Sequence, residues 1–194
     1  MNLSDCTFLV VDVETTGLDP ATEQVVEFAA VKLAPEGLGF GMSELFRPTV
    51  PFTAEASAVN GLTQEFLDTN GLPQAHIPGV LASVIQRARP AVIVAHNARF
   101  DRSFLPDTGC QWLCTRNLAR LVFPGLASYK LQELRQTLAL RPRQDGPAHR
   151  ALADAYLCAA LLQALLARIG SVSGVLHWLN EDATRRELAR KGVA

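Results

Sequence analysis

The sequence has no excess of charge of either sign: 18 basic residues stand against 19 acidic ones, for a net charge of −1. A protein that grips long duplex nucleic acid usually carries a basic stripe, because phosphate neutralisation supplies much of its affinity. Any contact with nucleic acid is therefore expected to involve few phosphates, with metal ions supplying part of the positive charge. Cysteine is sparse. Of Cys6, Cys110, Cys114 and Cys158, only Cys110 and Cys114 lie close together, and no second close pair completes a zinc site. The reading is four reduced thiols. No apolar run is read as long enough to cross a bilayer. The N-terminus, MNLSDCTF, has an acid where a signal peptide needs a basic flank, so a cytoplasmic location and no membrane partner are expected. Repeats and low-complexity segments are also missing.

What is present fits one ordinary domain. The chain has 194 residues, 48% hydrophobic and 19% charged, enough to bury a full core. Residues 7–14, TFLVVDVE, are apolar on both faces until the carboxylates appear, as in a central buried strand. Strands are expected again at 24–34 and 38–47, joined by the turn-forming Pro35-Glu36-Gly37, and at 91–95. Helices are expected over 54–60, 63–68, 77–88, 115–122 and 130–139, with one more beginning near Asn97. A long apolar helix over 149–168 follows the punctuation Gly146-Pro147. Three strands, then strands alternating with helices, argue for an α/β fold, a mixed sheet flanked by helices. The division is a domain over 1–170 and a helical appendage over 171–194, with Trp178 as a packing anchor in the latter.

The residues with chemical meaning sit at element ends. Asp12 and Glu14 share one strand face, about 6–7 Å apart, with Phe8 and Val10 before them and Leu9, Val11 and Val13 on the other face. By itself such a pair is a strand end opening to solvent or a seat for a divalent cation, since Mg²⁺ and Mn²⁺ prefer carboxylate oxygens. Asp154 heads a stripe continued by Cys158, Leu161 and Leu165, so it faces the core and needs a partner; the other reading is a first-turn acid favoured by the helix dipole. His149 lies five residues earlier, roughly 140° away around a helix, so the two are not an i, i+4 ligand pair. That spacing suits a His on the turn entering the helix, of a residue type that exchanges protons near neutral pH, or a merely exposed one. VIVAHNARFD ends a strand and enters a helix with Asp101 in its first turns. There His96 and Asn97 are expected to order the turn by hydrogen bonds; the plainer reading makes Asn97 a helix N-cap, which is compatible, and Asp101 an ordinary first-turn acid.

Together VVDVETTGL, VAHNARFD and HRALADA resemble motifs I, II and III of the DEDDh branch of 3′–5′ exonucleases, over roughly residues 7–168. The intervening WLCTRNLARLVFPGL and YKLQEL resemble the exonuclease X group within it. The resemblance implies a ribonuclease H-like fold with a five-stranded mixed β-sheet flanked by α-helices, its fifth strand near Gln111–Cys114. It implies a catalytic set of Asp12, Glu14, Asp101, His149 and Asp154. The four acids would hold two divalent cations, Mg²⁺ or Mn²⁺, and His149 would act as general base. It also implies substrate contacts from Thr15, Thr16, Gly17 and Leu18, with Asn97 beside them. The chain departs from the family in Ala58-Val59-Asn60-Gly61-Leu62-Thr63, where Asn60 stands at a position many relatives fill with His. The expected activity is removal of 5′-mononucleotides from a single-stranded or frayed 3′ end, DNA favoured over RNA. The alternatives are an exoribonuclease, a polymerase proofreading subunit (less favoured for want of a recruiting tail), and a silent nucleic-acid-binding module.

Overall fold

The computed structural model describes residues 5–169; the expected appendage, Trp178 included, lies outside them. Three antiparallel strands open the chain: β1 (Phe8–Thr15), β2 (Val25–Ala34) and β3 (Gly37–Arg47). Two short helices follow, α1 (Ala54–Asn60) and α2 (Gln64–Asn70), then β4 (Leu72–Pro73) and α3 (Ile77–Ala88). The remainder alternates: β5 (Val92–Ala95), α4 (Ala98–Phe104), β6 (Gln111–Cys114), α5 (Thr115–Val122), α6 (Leu131–Thr137) and α7 (Ala151–Ile169). The sheet order is β4-β3-β2-β1-β5-β6, with β5 parallel to β1 and β6 parallel to β5.

The position of β1 explains its composition. Between β2 and β5 it has no solvent edge, and helices cover both its faces. Phe8 and Val10 enter a core layer shared with α5, α6 and α7, while Leu9, Val11 and Val13 enter the opposite layer shared with α3 and α4. An alternating strand would leave polar groups in one layer, hence the unbroken apolar run. The register of β1 and β2 shifts between Glu14 and Thr15. An irregularity of this kind ends pairing and re-aims the following side chains, here just where the carboxylates give way to the Thr15–Leu18 turn.

Two expectations need correction. The sheet has six strands, not five, because the two residues of β4 pair with Phe46 and Arg47. A two-residue pairing has no periodicity to read, and Pro73, lacking an N–H, fits only at an edge. The second concerns α7, whose 19 residues reach a mean hydropathy of 1.5 and are long and apolar enough to cross a membrane by length and composition. In this fold that apolarity is used in packing: Cys158, Leu161, Leu162 and Leu165 are buried in the layer formed with β1, β2 and α5. Gly41 on β3 makes room for the same helix, since a Cβ there would collide with the Tyr156 hydroxyl.

Candidate active site

Three separate segments bring carboxylates to one place. Asp12 and Glu14 come from the end of β1, Asp101 from α4, and Asp154 from the first turn of α7. With His149 they line a cavity of about 460 Å³, whose other wall includes Thr15, Thr16, Gly17, Leu18 and Asn60. Asp101 is only 2% exposed, and its Oδ1 accepts from the backbone N–H of Val13 at 3.3 Å, which ties α4 to β1 between the two β1 acids. The oxygens of Glu14 and Asp154 and a ring nitrogen of His149 lie within 4.8 Å of one another.

Asp154 is held on both oxygens. Gln132 Nε2 donates to Oδ1 at 2.7 Å, and the backbone N–H of His149 donates to Oδ2 at 2.9 Å. The second bond fixes the turn into α7, where His149 takes a left-handed backbone (φ 59°). A non-glycine residue held in that conformation needs its surroundings to impose it. Here the Asp154 bond is part of that constraint, and it leaves the imidazole exposed at the mouth of the cavity.

Electrostatics give the cluster its demand for a cation. Burial pushes the Glu14 carboxyl up to about 8, and Asp154, Glu27 and Asp101 add to it. Asp12 is raised well above the usual carboxylate range by burial, then by Asp101, Glu14, Asp154 and Glu27. Burial also raises Asp154, against the lowering effect of its bond from His149. Like charges brought together out of water hold protons unless a cation compensates. The guanidinium beside this group, Arg150, is occupied with Glu27: its Nε and Nη2 donate to Glu27 at 3.0 and 3.3 Å. An oxygen-rich, crowded set of buried carboxylates fits a hard divalent ion.

Other expected residues play more varied parts. The Thr15 hydroxyl donates to the Gly17 carbonyl at 2.6 Å. Thr16 donates to Glu23 Oε2 and accepts from the N–H of Gln24, so its hydroxyl belongs to the turn. Leu18 is 84% exposed at the cavity rim. Asn60 is 4% exposed and lines the cavity; its Oδ1 accepts from the N–H of Leu62 at 3.0 Å. The capping expected of Asn97 is corrected: it occupies the N-cap position at φ 73° without a side-chain bond. A left-handed backbone there does not present the side chain to the N–H groups two and three residues on, as an extended one does.

His96 does the ordering instead. Its Nε2 is 2.9 Å from the Tyr129 carbonyl and its Nδ1 is 3.0 Å from Thr115 Oγ1. A carbonyl only accepts, so Nε2 carries the proton and Nδ1 accepts from the threonine. Burial lowers the His96 pKa to about 4, and the imidazole is neutral.

Glu27 and Gln132 were not singled out by sequence reasoning. Glu27 stands opposite Glu14 in the β1–β2 register, 1% exposed, and also accepts from the N–H of Ala151 at 3.2 Å. A single acid inside VVEFAAV was the available signal, since a buried charge requires a partner.

Residues 9–162 match the RNase T family, described as exonuclease. The chain belongs to that family. Its members are divalent-metal-dependent nucleases acting on phosphodiester bonds, and the acid and histidine cluster is where a metal would sit. Exodeoxyribonuclease 10 of Escherichia coli (strain K12) is 35% identical over 156 residues, 79% of this chain and 66% of that protein. DNA polymerase III subunit epsilon of Aquifex aeolicus is 30% identical over 183 residues, 90% of this chain and 87% of that one. The PolC-type DNA polymerase III of Thermotoga maritima is 34% identical, but the chain spans only 11% of it. Among solved structures, Exonuclease X in complex with 5′ overhanging duplex DNA superposes with a TM-score of 0.73 at 30% identity, covering 91% of this chain and 99% of that one. The fold is thus the ribonuclease H-like one of these exonucleases.

Proposed function

We propose that this exonuclease releases 5′-mononucleotides from the 3′ ends of DNA, working on a single-stranded or frayed end. The observation that carries the proposal is the convergence of Asp12, Glu14, Asp101, Asp154 and His149 on one cavity from three distant segments. The choice of DNA is supported by similarity to exodeoxyribonuclease 10 and to Exonuclease X, whose structure holds DNA. The exonuclease domain is taken as residues 1–170, and a cytoplasmic location is consistent with four free thiols.

The four acids would hold two Mg²⁺ or Mn²⁺ ions, which in such sites stabilise the attacking and leaving oxygens of an in-line displacement. The remaining work belongs to the chain. Leu18, the Thr15–Gly17 turn and Asn60 line the cavity against the terminal nucleoside, and the Asn60 amide N–H₂ is the donor assigned to it. His149, exposed and held by its backbone to Asp154, takes the proton of the attacking water on its imidazole. Gln132 keeps Asp154 from turning away.

The test is digestion of matched single-stranded DNA, 5′-overhanging duplex and RNA, each labelled at the 5′ end. DNA should shorten as a ladder with Mg²⁺ or Mn²⁺. The near-zero net charge implies weak phosphate gripping, so intermediates should accumulate under substrate excess. One early internal fragment, or full activity in EDTA, would overturn the proposal; faster loss of RNA would reassign the substrate.

A further inference from the structure

A second cavity, of about 400 Å³, adjoins the first. The two share Asp12, His96, His149 and Asp154, but only the first includes the Thr15–Leu18 turn and Asn60, and only the second includes Asn97, Arg116 and Lys130. A strand with its terminal nucleoside in the first cavity and its scissile phosphate at the acids has the second open before it. The lining changes with the crossing: Arg116 and Lys130 are in the second cavity, beside the amides of Asn97 and Gln132 and the acid Glu133, and the first has no lysine or arginine.

Arg116 lines the second cavity and has a donor to spare. Its Nε is buried and has no hydrogen-bond partner among the described residues. A buried N–H left without an acceptor calls for an explanation, and a guanidinium edge is shaped to bind the two oxygens of a phosphate. The position is also built. Neutral His96 bonds to the Thr115 hydroxyl and to the carbonyl of Tyr129, on the residues immediately before Arg116 and Lys130, so one imidazole links the two segments that carry the cations. The Tyr129 hydroxyl donates to the Phe123 carbonyl at 2.7 Å and accepts from the N–H of Leu126, which closes the loop carrying Lys130.

We propose that Arg116 and Lys130, with Asn97 beside them, form a subsite for a backbone phosphate of the substrate strand on the 5′ side of the scissile linkage. This rests on the exonuclease reading above. The subsite does not compete with the metal cluster: it grips a phosphate that is not cleaved, and so acts in binding. Glu133 and Gln132 complete the lining, and two cations suffice for about one phosphate.

The experiment couples protein variants to phosphate deletions. Oligonucleotides carry a neutral methylphosphonate at the first, second or third linkage 5′ of the scissile one, and wild type, Arg116→Gln and Lys130→Ala are compared. For wild type, one of these deletions should raise KM by roughly tenfold, the scale of one charge-assisted bond pair. In each variant the same deletion should cost little more, because the partner is already gone. The salt dependence of binding should fall in slope by about 0.7 for a single phosphate that is no longer neutralised. Anisotropy of the same oligonucleotides in Ca²⁺ reads the coupling without turnover, and exposed Lys130 carries the test should Arg116→Gln fold poorly. Penalties that simply multiply at all three linkages, or variants that lower kcat with KM unchanged, would overturn the subsite. Failure of wild type to shorten unmodified DNA, with coupling still seen in binding, would instead sink the exonuclease reading.

Discussion

At the scale of single residues, the site separates two tasks that one motif contains. Asp154 is a candidate ligand fixed by Gln132 and by the His149 N–H; His149 has an exposed ring and is assigned proton transfer. His149→Ala should lose activity by roughly 10²–10⁴-fold, the usual worth of a positioned general base, while Mn²⁺ and a DNA 3′ end still bind. The acid limb of its single-turnover pH–rate profile should disappear. Asp154→Ala should lose metal affinity together with activity, as read by Mn²⁺ calorimetry. Loss of Mn²⁺ binding in His149→Ala, or an unaltered profile, would remove His149 from the role of base. Asn60 has its amide oxygen spent on the Leu62 N–H and lines the cavity. Asn60→Ala should raise KM more than it lowers kcat, a sign of weaker ground-state binding, and lose about 1 kcal/mol of stability with the turn bond. A lower melting temperature with KM unchanged on every substrate would make the position purely structural.

At the scale of elements, the head of α7 is tied to β2 by Glu27, which accepts from Arg150 and from the N–H of Ala151. The tie spans 123 residues of sequence and sets the height of the His149 turn against the sheet. Arg150→Ala leaves a 2%-exposed carboxylate with the Ala151 N–H but without its counter-charge, whereas the guanidinium is 39% exposed. Breaking a fully buried pair costs about 3–5 kcal/mol; partial solvation of Arg150 brings the expectation to roughly 1–3 kcal/mol. Arg150→Lys should restore part of the stability but less of the kcat, because one ammonium does not reproduce two converging N–H bonds. Chemical denaturation beside steady-state kinetics checks both. Equal recovery of stability and kcat would show that the pair holds the fold without positioning the turn.

For the whole molecule, the acid cluster makes stability depend on pH and metal in opposite senses. Glu14 has a folded pKa of about 8 against an ordinary 4.5, so in metal-free protein its contribution is complete below 4.5 and is lost as pH rises through 8. His96 opposes this at lower pH: its folded value of about 4 against 6.5 means stability is lost as pH falls through that interval. Between pH 6.5 and 8 only the carboxylate effect remains. EDTA-treated protein should therefore melt at progressively lower temperature from pH 6.5 to 8. Added Mn²⁺ should raise the melting temperature most at pH 8, where the fewest protons must be displaced. A flat or rising metal-free curve over that window would mean that the carboxylates are already ionised and compensated.

Much was legible in the sequence because strand and helix periods are local. Expected helices at 77–88 and 115–122 coincide with α3 and α5, and the faint strand at Gln111–Cys114 is β6. The apolar stripe behind Asp154 is buried at Cys158, Leu161 and Leu165. The motif resemblance pointed to the five residues that the fold gathers around one cavity. Tertiary structure alone decided what those residues bond to. Nothing local announces that Glu27 meets Arg150 across 123 residues, that Gln132 fastens Asp154, or that one neutral histidine joins Thr115 to Tyr129. The physical reason is that periodicity records whether a side chain faces the core, whereas a polar partner is chosen by distance and direction. Those exist only once β1, β2 and α7 have packed.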